Sequence, residues 1–220
     1  MEFLKNLPQK PKKLNELISA QAGSVASMSL SKIDDVHMTL LAFSPGEGIS
    51  EEKYENDMFY YCVEGNMQIL LDNSAHALSS GDCFLAPRGV LHELKPDCGF
   101  KLLQITVGGI DMDFMKNIKK SKVIKLKDMV SYEEGKIISI TLAQKEHVGI
   151  TLFAFAAGEG VSTHSAPGDA MVYVLDGKAN ITVGDEEFVV GEGETIVMPA
   201  NVPHAVKAKE NFKMLLTVVK

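Results

Sequence analysis

The chain has 220 residues, 45% of them hydrophobic, and carries a formal net charge of −7, so it holds one large domain or two small ones with a real core. The acidic balance argues against a nucleic-acid or anionic-membrane partner, and no stretch approaches the ~18 apolar residues of a membrane span. The opening MEFLKNLPQK lacks the apolar run of a signal peptide, and Cys62, Cys83 and Cys98 show no C-x-x-C spacing, which reads as a cytoplasmic protein with reduced thiols.

The first elements along the chain are two short helical candidates, 1–7 and 14–20. Short apolar runs follow, β-branched or aromatic and ending at glycine, as far as Gly108–Gly109. IDMDFMKNIKK then reads as a connector, with helical candidates at 111–119 and 126–132. The apolar runs resume as KIISITLA, VGITLFAFAAG, AMVYVLDG, ANITVG, EEFVVGEG, TIVMPANVPHAV and FKMLLTVV. Their turn signals recur about every 8–12 residues, the spacing of a sandwich or barrel. Some runs alternate, and others are apolar on both faces, which predicts cover on both sides.

The chain is written twice. Residues 12–108 align with 124–220 without a gap. TLLAFSPGEGIS (39–50) falls on TLFAFAAGEGVS (151–162), Gly65 on Gly177, Gly81 on Gly193, Pro87 on Pro199 and His92 on His204. A slip of one residue would turn every side chain of a strand to the other face, so both copies are expected to share their lining positions. The boundary is set at 110/111, giving units 1–110 and 111–220.

These residues resemble the cupin superfamily, and the whole chain resembles a bicupin. The family's second motif, G-x5-P-x-G-x2-H, fits Gly81, Pro87, Gly89 and His92 in the first copy. It fits Gly193, Pro199 and His204 in the second, where Asn201 stands for the glycine. Asparagine tolerates positive φ better than most residues. The fold expected is therefore all-β: two tandem cupin barrels, jelly-roll-like double-stranded β-helices of six to eight antiparallel strands, packed together, with short peripheral helices.

The first motif, G-x5-H-x-H followed by E-x6-G, is depleted. The resemblance implies that its two histidines, its glutamate and the second motif's histidine bind one metal. In the second copy His164 holds the first position, Ala166 and Ala170 the next two, and His204 the last. In the first copy the four are Glu52, Tyr54, Met58 and His92. A divalent metal (Zn, Ni, Fe or Mn) is thus expected on His164 and His204 only. A hydrogen-bonded His92–Glu52 pair is expected in the first barrel, with Met58, Tyr60 and Cys62 facing inward. Glu52, Tyr54, Met58, Tyr60 and His92 form a candidate small-molecule site, apolar with a few convergent polar groups; the same side chains could equally pack the barrel solid. Asp57 and Asp169, which flank the vacant glutamate position, read as hydrogen-bonded caps. His37, His76 and His147 read as surface or loop residues. A Cys62 nucleophile with His92 as base has no oxyanion hole in view.

Two functional classes follow. One is a small-molecule-binding bicupin with little or no catalysis. The other is a metal-dependent cupin enzyme, a dioxygenase or isomerase acting on a small polar or aromatic substrate. The partner expected is a small-molecule ligand, with neither nucleic acid nor membrane. The chain is expected as a monomer whose barrels form an intramolecular pseudo-dimer, or as a homodimer.

Overall fold

The computed structural model describes residues 6–33, 36–96, 98–107 and 115–220. In chain order the strands are β1 (Lys12–Lys13), β2 (Val25–Ile33), β3 (Val36–Phe43), β4 (Ile49–Lys53), β5 (Met58–Glu64), β6 (Asn66–Leu71), β7 (Ser74–Ser79), β8 (Asp82–Ala86), β9 (Leu91–Pro96) and β10 (Phe100–Val107). The second series is β11 (Val123–Lys125), β12 (Ile137–Gln144), β13 (Val148–Phe155), β14 (Gly160–His164), β15 (Asp169–Asp176), β16 (Lys178–Val183), β17 (Glu186–Gly191), β18 (Glu194–Met198), β19 (His204–Ala208) and β20 (Phe212–Val219).

Each unit is a jelly roll of two antiparallel sheets. The first has a six-stranded sheet, β11-β8-β5-β10-β3-β2, facing a four-stranded one, β4-β9-β6-β7. The second repeats the order as β1-β18-β15-β20-β13-β12 and β14-β19-β16-β17. The strands outnumber the six to eight expected for each barrel. Among the extra ones are the two-residue β1 and the three-residue β11, too short for hydropathy alternation to register.

Those two strands also show how the units are composed. β1 pairs with β18, and Leu14 donates its amide to the carbonyl of Gly193 at 2.9 Å. β11 pairs with β8, and Leu126 donates to Gly81 at 3.1 Å. The chain therefore leaves the second unit at Leu14 and the first at Leu126. The repeat identifies equivalent segments, but not which barrel each one completes. The boundary expected at 110/111 lies outside the described residues.

The helical expectations are corrected. Residues 1–5 and 111–114 lie outside the described residues, and 6–7 and 115–119 are not helical. At 14–20 and 126–132 the chain forms only 3-10 turns, Leu14–Glu16 and Leu126–Met129. Each turn spends its apolar residue on the barrel, Leu14 and Leu126 both being fully buried, and so short a segment cannot nucleate an α-helix. No helix among the described residues is long and apolar enough to cross a membrane.

The two cores are matched. Phe43 stacks on Phe100 with ring centroids 4.2 Å apart, and Phe155 stacks on Phe212 at 4.6 Å. β6 alternates buried and less buried positions, as a strand with one core face should. β5 and β15 are buried on both faces over most of their length. Each barrel's long sheet is bulged at the same place, between Lys101 and Leu102 in one and between Val174 and Asp176 in the other. The turn after it holds Gly65 or Gly177 at positive φ. A Cβ on Gly177 would lie 2.1 Å from the carbonyl oxygen of Asn211, so only glycine fits. Close by, Lys101 donates to the carbonyl of Asn15 and Lys213 to that of Lys127, both at 2.7 Å. These bonds hold the 3-10 turns against the barrel ends.

Candidate functional site

In both units the site begins at a bulge. The pairing of β4 with β9 shifts between Ile49 and Glu52, and that of β14 with β19 shifts between Val161 and His164. The shift sets Glu52 opposite His92 and His164 opposite His204. Bulges re-aim side chains next to functional sites, and here two of them aim equivalent residues at one another.

An aspartate holds the loop that carries the second motif. Asp57 Oδ1 accepts from the amide of Arg88 at 2.9 Å, and Asp169 Oδ1 from that of Ala200 at 2.8 Å. The structural role expected of both aspartates is found, but the amide they bind lies in the loop after β8 or β18 rather than in their own turn. Gly89 donates its amide to the Tyr54 carbonyl at 2.8 Å, and Asn201 to Ala166 at 2.7 Å. Gly89 has φ 71 and Asn201 φ 61, so asparagine does take the glycine's conformation.

The first barrel closes its polar groups on one another. Tyr60 is fully buried, and its hydroxyl lies 2.8 Å from His92 Nε2. His92 Nδ1 lies 3.3 Å from the carbonyl oxygen of Val90. The Tyr54 hydroxyl donates to the Glu52 carboxylate, and the Tyr54 ring lies 5.3 Å from that of His92. The expected His92–Glu52 hydrogen bond is thus replaced by two bonds, His92–Tyr60 and Glu52–Tyr54. A buried tyrosine needs a partner for its hydroxyl, and Tyr60, like His92, is buried while Glu52 is exposed. Met58 and Cys62 are buried in the same cluster as Tyr60, with Tyr54 packed against it.

Burial lowers the His92 pKa, against smaller opposing effects of the Val90 carbonyl and the Glu52 charge. Burial also raises the pKa of Tyr60 and Tyr54, with Glu52 pushing both the same way. The imidazole is therefore neutral near pH 7 and both phenols keep their protons. Cys62 is no nucleophile: burial pushes its thiol up to about 12, its sulfur faces the carbonyl of Gly65 at 3.5 Å, and the candidate base is bonded to Tyr60. All three cysteines are free.

The second barrel differs at each of these positions. Val172 stands where Tyr60 does, Ala166 where Tyr54 does, and Ala170 where Met58 does. His164 and His204 approach edge to face, with ring centroids 4.5 Å apart. Nδ1 of His164 lies 2.9 Å from the carbonyl oxygen of Ser162, and Nδ1 of His204 2.9 Å from that of Val202. A carbonyl at Nδ1 fixes the tautomer with its proton there, leaving the Nε2 lone pair for a ligand. His204 is buried and His164 exposed. Burial lowers the His204 pKa, and a charge on His164 adds to the effect. The core of this barrel is apolar: Ala170, Val172, Met198 and Met214 lie in it, with Phe153 and Leu216 packed against it.

Among the described residues no group of three or more His, Cys, Asp or Glu is placed to hold a metal ion. The donors at this centre are two imidazoles, which suit zinc, nickel, iron or copper, so any ion would complete its shell with water or a ligand. His37 and His147 are exposed as expected, but His76 is half-buried with its ring 4.9 Å from that of Phe84.

Residues 151–220 match the profile of the Cupin domain family. A solved structure, the Cupin 2 conserved barrel domain protein from Leptotrichia buccalis, is 34% identical, with 99% of this chain and 100% of that one covered and a TM-score of 0.86. The chain belongs to the cupin family. Salicylate 1,2-dioxygenase from Pseudoaminobacter salicylatoxidans, solved with gentisate, is 12% identical over 98% of this chain and 83% of its own, with a TM-score of 0.67. The Ylba protein from E. coli is 15% identical over 100% and 93%, with a TM-score of 0.63. At those identities the likeness is one of fold alone. The comparison with curated proteins gave no match.

Proposed function

We propose that this cupin is a bicupin that binds small molecules, with little or no catalysis. In this reading the second barrel holds one divalent ion through His164 and His204, and the first barrel is a metal-free ligand site built from Glu52, Tyr54, Met58, Tyr60 and His92. The observation that carries it is the fate of the two motif histidines. Nε2 of His92 is bonded to a buried tyrosine, whereas valine stands at that place beside His204 and the neighbouring ring is a second imidazole. A ligand set of two histidines falls short of the three protein ligands usual at catalytic zinc and lacks the carboxylate of the non-haem iron triad. Affinity for the ion is accordingly modest.

Metal analysis of untagged protein, followed by zinc titration, tests this. His204→Ala should abolish binding and His92→Ala should leave it unchanged. Equal loss from both variants, or none from either, contradicts the assignment. The enzyme alternative, a dioxygenase or isomerase, would rest on the coordination positions that two histidines leave open. Turnover of a small aromatic or polar substrate that disappears in His204→Ala would establish it.

A further inference from the structure

The protons of the first-barrel cluster are all committed. The neutral His92 carries its hydrogen on Nδ1, facing the carbonyl of Val90, so Nε2 is an acceptor and Tyr60 donates to it. The Tyr54 hydroxyl spends its hydrogen on Glu52. What remains toward the rim is a pair of acceptors: the half-buried Tyr54 phenol oxygen and the charge of the exposed Glu52 carboxylate. Among the described residues no lysine or arginine pairs with Glu52. The ring of Tyr54, which is bonded to it, is tilted by 40° against that of His92 with centroids 5.3 Å apart, and Tyr60 makes an edge contact with His92 at 5.7 Å. Apolar packing lies below, from Met58 and Val90.

We infer that the first barrel selects organic ammonium ions: a protonated amine on a small apolar or aromatic group. This rests on the reading of the first barrel as a ligand site and adds the chemical class. An ammonium brings donors to a site that has only acceptors left, and Glu52 supplies its counter-charge. Aromatic faces attract a cation through their quadrupoles. A carboxylate ligand meets the opposite: the Tyr54, Tyr60 and His92 side chains have their hydrogens committed, and it faces the Glu52 charge. The second barrel lacks the carboxylate and both phenols, since His164, Ala166 and Val172 replace Glu52, Tyr54 and Tyr60.

The test uses the full chain and three probes of one shape: benzylammonium, benzyl alcohol and benzoate. Each is titrated while the side-chain resonances of Tyr54, Tyr60 and His92 are followed by NMR. Benzylammonium should shift them and bind about tenfold more tightly than either other probe, the scale of an exposed charge pair with a cation–π contact. Glu52→Gln, at an exposed position that should not disturb folding, should weaken benzylammonium about fivefold and benzyl alcohol by less than that. Tyr54→Ala should weaken it further than Tyr54→Phe, which keeps the ring. If benzyl alcohol or benzoate binds as tightly at these resonances, or Glu52→Gln changes nothing, the ammonium assignment is overturned and the ligand site stands. If no probe moves the three resonances, both are overturned.

Discussion

The two barrels share a fold, and four of the differences between them cluster at the site. Where the first has Glu52, Tyr54, Met58 and Tyr60, the second has His164, Ala166, Ala170 and Val172. The bulge, the aspartate-held loop and the motif histidine are the same in both. One set encloses its histidine in hydrogen bonds. The other leaves two imidazoles in edge contact, one buried and one exposed. A cupin scaffold therefore fixes where a site will be, and a few inward positions decide its chemistry.

The strongest way to break the contrast is to refill the vacancies of the second barrel. Ala166→His with Ala170→Glu adds an imidazole and a carboxylate where the family's motif has them. Zinc affinity should rise by a factor of about 100 or more, since added ligands bring both charge and geometry. An unchanged affinity, measured by calorimetry, would mean that His164 and His204 do not face a common centre.

A second change opens the first barrel instead. Tyr60→Phe removes the hydroxyl from His92 Nε2 and leaves a buried acceptor unpaired, at a cost of about 1–3 kcal/mol. The matched change in the second barrel, Val172→Ala, costs about 1–2 kcal/mol through lost packing alone. Only Tyr60→Phe should also move the His92 titration, and urea unfolding with NMR titration separates the two effects.

The loop anchors should behave alike in both halves. Asp57→Ala and Asp169→Ala each remove an acceptor from a backbone amide, worth about 1.5–3 kcal/mol for a charged partner. Denaturation midpoints that differ widely between the two would show that the loops are held differently, with the Asp57–Lys120 pair at 2.7 Å as the first suspect.

The pH dependence has a definite sign. Burial lowers the pKa of His92 below its unfolded value of about 6.5. Between the two values the unfolded chain binds more protons, so stability is lost as pH falls through that window. Urea midpoints at about pH 7.5 and about pH 5 should differ more in the parent than in His92→Gln. The smallest effect expected is that of Asn201→Gly, which should stabilise by about 0.5 kcal/mol at most, because glycine meets the positive φ more freely. A loss on that change would show that the asparagine side chain has a use of its own.

Much of this is legible in the sequence. The gapless repeat and the glycine-bounded apolar runs determine two β units with equivalent lining positions, because strand facing has a period of two and admits no slip. The motif spacing places His164 with His204 and Glu52 with His92. Asn201 could be read as a left-handed residue from the glycine aligned with it. Tyr60 could also have been assigned a buried hydroxyl partner, since its alternation from Met58 turns it inward and a buried phenol needs one. Only the tertiary structure decided that this partner is His92 rather than a ligand, and that Glu52 takes Tyr54. Pattern gives the face a side chain is on, whereas a hydrogen bond depends on reach and depth. Only the tertiary structure likewise assigned Lys12–Lys13 to the second barrel and Val123–Lys125 to the first. Segments of two and three residues are too short to carry periodicity, and equivalent arms fit either barrel's edge in sequence terms, so their docking is fixed by where the folded chain carries them.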